Sequence, residues 1–120
     1  MPELEKHAGG CHCGAVRFEA EVDLGNTMTC NCSICRKRGS ILTFTSADRF
    51  RLLQGGGAQT VYRFNKNVID HLFCKTCGIL SYAQGKAPDT GATVYAVNVR
   101  CLDDVDLEKL TPKQVDGRSF

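Results

Sequence analysis

The chain has 120 residues, 42% apolar, 23% charged and 8% aromatic, with no tryptophan. That length fits one domain spanning residues 1–120, with a core of Val, Leu, Ile, Ala and Phe that needs a staple. A formal charge of +2 argues against nucleic acid as a partner, and no apolar run approaches membrane-spanning length.

In chain order, MPELEKHAGG shows neither the apolar stretch of a signal peptide nor the Arg-rich, acid-poor character of a transit peptide, so a cytoplasmic location is expected. His7 reads as terminal and solvated. Cys11 and Cys13 follow; in an extended strand they would present both sulfurs to one side while His12 faces away. Residues 15–22 alternate apolar and polar, the signature of a strand with one wet face. Gly25-Asn26 signals a turn, and Cys30, Cys32 and Cys35 form the second cluster. Arg36-Lys37-Arg38 is short, lacks interleaved aromatics and reads as a solvated turn. Further strands are expected over 40–45, 50–54, 60–65, 69–74, 79–83 and 93–100, with weak helical signals at 46–50 and 106–110. Gly55-Gly56-Gly57 reads as a mobile hairpin turn, since it lacks the Lys-Ser/Thr partner of a phosphate loop. Residues 87–91 mark another turn. The sum is a mostly β chain with antiparallel sheets packed as a sandwich or partly open barrel.

Eight cysteines in a chain without a secretory leader point to metal or redox chemistry rather than to a disulfide framework. The CxxC of Cys74 and Cys77 precedes Gly78, as Cys13 precedes Gly14, each placing a residue suited to positive φ after a knuckle. Two such pairs complete a four-thiolate zinc site at Cys11, Cys13, Cys74 and Cys77, although spacing leaves other pairings open. Cys30, Cys32 and Cys35 then supply three ligands to a second ion. Cys101 either closes that site as a fourth ligand or leaves it open as a buried thiol; the open form is favoured because free cysteine is commonly a small core hydrophobe. An iron–sulfur cluster and a thioredoxin-like redox site are weaker alternatives, the first on ligand preference and the second for want of a βαβ pattern. His71 reads as a structural strand residue before a catalytic base.

Four stretches, Gly9 to Phe18, Cys30 to Gly39, His71 to Gly78 and Val97 to Asp103, with an ending at Val115-Asp116-Gly117, resemble the glutathione-dependent formaldehyde-activating enzyme family. This zinc-binding group also includes centromere protein V-like, vertebrate centromere-associated members. The resemblance implies an Mss4-like, zinc-stapled fold and a structural zinc at Cys11, Cys13, Cys74 and Cys77. It also implies a second, catalytic zinc at Cys30, Cys32 and Cys35. The implied activity is that of a carbon-sulfur lyase acting in reverse on glutathione and formaldehyde, with no glutathione-binding residue assigned. The partners expected are therefore a small thiol such as glutathione and a small aldehyde. The alternatives are a non-catalytic binding or scaffold module with two structural zincs, and a thiol-based metal store.

Overall fold

The computed structural model describes residues 4–63, 69–87 and 89–116. Two sheets form the molecule. The smaller has three strands: β1 (Glu5–Gly10), β2 (Arg17–Val22) in the centre and, after intervening elements, Phe50–Gln54 on its other side. Next along the chain come β3 (Met28–Cys30), a six-residue helix α1 (Ser33–Arg38), β4 (Leu42–Ser46) and the strand Phe50–Gln54, here β5. They are followed by β6 (Gln59–Tyr62), β7 (Asp70–Cys74), β8 (Tyr82–Lys86), β9 (Thr93–Asn98) and β10 (Lys113–Val115). The larger sheet runs β10-β3-β4-β9-β8-β7-β6, antiparallel throughout except for the parallel pair β10 and β3. The antiparallel sandwich expected from the sequence is present with that one parallel addition.

The alternation in β2 sets the core. Phe18, Ala20 and Val22 are buried and meet Ile41, Val97, Val99 and Leu102, so the two sheets face each other across one apolar layer. Phe50 stacks on Tyr95 with ring centroids 4.1 Å apart and on Phe18 at 5.4 Å. The inner-face hydroxyls of the larger sheet are satisfied by backbone: Thr43 donates to Asn26 O at 3.0 Å and Thr45 to Glu21 O at 2.8 Å. On the opposite face Phe44 stays half exposed.

Several expectations shift. The strand expected at 79–83 is β8, which begins three residues later, because Ile79 O is used by Cys74 N to close a knuckle at 3.0 Å. The helical signals at 46–50 and 106–110 become single 3-10 turns, Ala47–Arg49 and Leu107–Lys109, and 93–100 ends in another at Val99–Cys101. Gly56–Ala58 is also a 3-10 turn. Of the strand expected at 60–65, residues 64 and 65 lie outside the described residues, as do Pro88 of the expected turn and Gly117 of the expected ending.

β1 and α1 carry no expectation. β1 depends on a close approach: a Cβ on Gly9 would stand 2.5 Å from Cys101 O, so the strand passes the 99–102 segment at a separation that glycine alone permits. His7 in β1 is buried rather than solvated, with Nδ1 donating to Asp104 Oδ1 at 2.8 Å. Pairing with β2 carries it inside.

Candidate metal centres

The first cluster joins two knuckles. Cys11 follows β1 and Cys13 lies in the turn before β2; Cys74 ends β7 and Cys77 lies in the turn beyond it. The first pair therefore sits on a turn, not on the extended strand expected for it, and His12 at the turn's tip is exposed. The two turns are alike: Gly14 N donates to Cys11 O at 3.3 Å and Gly78 N to Cys74 O at 2.9 Å. Both glycines have positive φ, 86° and 79°, as the sequence predicted.

The four sulfurs lie within 4.8 Å of one another, with Cys11–Cys13 and Cys13–Cys74 both at 3.6 Å. Sulfurs at the corners of a tetrahedron with bonds of about 2.3 Å to zinc would be about 3.8 Å apart, so this donor set fits that ion. Backbone amides already point at the sulfurs: Val16 N at 3.3 Å from Cys11, Thr76 N at 3.4 Å and Cys77 N at 3.5 Å from Cys74. Crowding divides their acidity. Amides of Ile79 and Cys13 draw the Cys77 thiol down to about 6. At Cys13 the Ala15 amide pulls downward, but the Cys74 sulfur, burial and the Cys11 sulfur outweigh it and raise that thiol to about 11. A divalent cation at the centre would let all four exist as thiolates together.

The second cluster is more local. Cys30 ends β3, Cys32 stands at the N-cap of α1 and Cys35 falls in its first turn, buried. Their sulfurs also lie within 4.8 Å of one another. Cys32 N donates to Cys30 Sγ at 3.5 Å. Burial raises the Cys32 thiol, but the Cys35 amide, the neighbouring sulfurs and the Ile34 amide overcome it and the net movement is downward. Burial, then the Cys32 sulfur, push the Cys35 thiol up to about 12 against the pull of the Arg38 charge. β10 braces this region from the outside: Asn31 N donates to Val115 O at 3.2 Å and Asn31 Nδ2 to Asp116 Oδ1 at 3.0 Å.

Cys101 joins neither set. Its half-buried thiol donates to Leu80 O at 3.6 Å, and burial raises it to about 11, with further upward pushes from Cys11 and Cys77. It packs against the core around Phe18 and Val97, and the trio remains a set of three cysteines among the described residues.

The basic run after Cys35 is part of α1 rather than a turn. Arg36 and Lys37 are exposed, but Arg38 folds inward, with Nη2 3.5 Å from Cys35 Sγ, Nη1 3.4 Å from His71 Nδ1 and Nε 3.2 Å from Ser40 Oγ. Sequence reasoning missed Arg38 as a site residue. The signal was the i, i+3 spacing from Cys35, which puts both on one face once the segment is helical.

The model of the family described as "Glutathione-dependent formaldehyde-activating enzyme" matches residues 6–116. A crystal structure of a Rhodobacter sphaeroides protein is similar at 33% identity, covering 89% of this chain and 97% of that one with a TM-score of 0.78. With both cysteine clusters and nearly all of the chain inside the matched span, this protein belongs to the glutathione-dependent formaldehyde-activating enzyme family.

Proposed function

We propose that this chain is a zinc-dependent carbon-sulfur lyase-type enzyme working in the cytoplasm. It joins a small thiol, glutathione in the first instance, to formaldehyde or a related small electrophile. In this reading Cys11, Cys13, Cys74 and Cys77 hold a structural zinc, and Cys30, Cys32 and Cys35 hold a catalytic one. The observation that carries it is the inequality of the two clusters: four sulfurs gathered in one and three in the other, with Cys101 in neither and bonded to Leu80 O.

A zinc held by these three thiolates would leave a ligand position for a substrate thiol and would lower its pKa toward the thiolate, the nucleophile for a carbonyl carbon. The protein's own residues do the rest. Cys30, Cys32 and Cys35 are fixed by the end of β3 and the first turn of α1, which hold the three sulfurs together on one short segment. In the net reaction one carbon–sulfur bond forms, the carbonyl π bond opens, and the thiol's proton ends on the former carbonyl oxygen. No oxidant is consumed.

The test is direct. Protein with two zincs per chain should raise the rate at which glutathione and formaldehyde form the hydroxymethyl thioether, followed by NMR, over buffer and over a Cys30→Ser variant. Cobalt in the second site should change its visible spectrum on adding glutathione, and Cys101→Ala should keep both ions. A second-site spectrum indifferent to every small thiol, with Cys101→Ala losing one ion, would instead establish two closed structural sites and a scaffold.

A further inference from the structure

Of the three consecutive cations on α1, two face solvent and one does not. Arg38 is half-buried, and its guanidinium touches three partners in different directions: a cluster sulfur, an imidazole nitrogen and a hydroxyl. The turn that follows is itself fixed, with Gly39 N donating to Cys35 O at 2.9 Å and Arg100 Nε donating to Gly39 O at 3.2 Å. Arg38 is therefore held at both its backbone and its head.

We infer that Arg38 is the positioning residue of the three-cysteine cluster: it offsets charge at Cys35 and fixes the buried His71 with its ring proton on Nε2. The charge half rests on the proposed function, because it matters only when the trio holds a cation; the tautomer half does not.

The charge argument is arithmetic. Three thiolates around a divalent cation leave one net negative charge, in a site where Cys35 is buried. A guanidinium hydrogen-bonded to the Cys35 sulfur cancels it and withdraws electron density from that ligand. Among the described residues, no charged side chain hydrogen-bonds a sulfur of the four-cysteine cluster, which is served by backbone amides. Among the described residues, a guanidinium hydrogen-bonded to a cluster sulfur is found only at the trio.

The tautomer follows from what each group can do. A guanidinium is always protonated and only donates, so His71 Nδ1 must be the accepting nitrogen and the neutral ring must carry its proton on Nε2. An imidazolium here would set two donors against each other. Burial first, and then the Arg38 charge, hold His71 below its ordinary range and keep the ring neutral, while Asp70 pulls weakly the other way. Ring and sulfur are thus linked through one side chain. Lysine could restore the charge but not the three-way fork.

The experiment compares wild type, Arg38→Gln and Arg38→Lys, each loaded with two zincs. In Arg38→Gln a competing chelator should strip the second ion about tenfold faster or more, the scale of one lost charge-assisted hydrogen bond, while the first leaves at the wild-type rate. Arg38→Lys should recover most of the retention. Nitrogen-15 NMR of labelled histidine should show wild-type His71 with Nδ1 bare across neutral pH, and a tautomer mixture in both variants. Unchanged release from Arg38→Gln overturns the charge half, and a proton on Nδ1 in wild type overturns the tautomer half even if neither variant folds. A wild-type chain retaining a single zinc overturns the proposed function and the charge half together, leaving the ring nitrogens to decide the rest.

Discussion

The two cysteine clusters use the same ligand chemistry on opposite kinds of scaffold. In the first, Cys13 and Cys74 are 61 positions apart in the chain with sulfurs 3.6 Å from each other, so an ion there would tie the β1–β2 turn of the smaller sheet to β7, the strand next to one edge of the larger. In the second, all three cysteines lie within the end of one strand and the first turn of the helix after it. Closing the longer loop removes about 2 kcal/mol more chain entropy from the unfolded state than closing the shorter one. Backbone amides reach sulfurs of both clusters, but the second also has a guanidinium against one sulfur. A cluster that joins two sheets and one that shapes a single turn thus differ in what each one spans and in what stands against its sulfurs.

The largest expected effect comes from breaking the staple. Binding of a structural zinc contributes about 10–16 kcal/mol in small zinc domains, as large as the roughly 5–15 kcal/mol by which whole proteins are stable. Cys74→Ser removes a ligand that is 1% exposed and leaves three sulfurs of the set behind. The variant should lose the cooperative thermal transition, or melt at least about 15 °C lower, and retain at most one zinc by elemental analysis. A transition within a few degrees of wild type would show that the first cluster does not hold the sheets together.

Breaking the second cluster should invert that pattern. Cys32→Ser should lower the melting temperature by only a few degrees, because the trio closes no long loop and the core around Phe18 and Val97 is elsewhere. Catalysis of thiol addition to formaldehyde should fall by about a hundredfold or more, with one zinc retained. Full activity in a chain with one ion would remove the trio from the chemistry; collapse of the fold would make it a second staple.

What could be read without the structure followed the range of each interaction. The knuckles were legible because a CxC or CxxC with its trailing glycine is a local device, and β2 and β5 were legible because alternation is local too. β3 and β10 have three residues each and exist by pairing with one another, an arrangement no short window contains. α1 has only six residues, too few to show a helical period, and reading its cysteines as ligands hid the helix that positions them. His7 failed for the same reason. It is carried inside by pairing with β2, and the carboxylate that its ring meets, Asp104, is 97 positions away. Arg38 was misread as surface charge because nothing local distinguishes it from Arg36 and Lys37 until α1 turns it toward Cys35 and His71.

The smallest expected effect sharpens the comparison by testing whether the staple has help. Beside the first cluster, Asp103 accepts from Arg17 with both carboxylate oxygens, Nη1 to Oδ1 at 3.1 Å and Nη2 to Oδ2, tying β2 to the segment that carries Cys101. Both side chains are at least one-third exposed, which places the pair in the class that contributes up to about 1 kcal/mol. Arg17 holds the Asp103 carboxyl below its ordinary range. Such a group contributes stability that is present above the unfolded-state pKa of about 3.9 and is lost as pH falls through its lower folded value. Asp103→Asn should therefore cost a degree or two of melting temperature at pH 7, and the gap from wild type should close below about pH 4. Zinc content should not change. A loss of several kcal/mol, or of the first ion, would mean that the staple depends on this surface pair, and would erase the distinction between a cluster that ties two sheets by itself and one that only shapes its own turn.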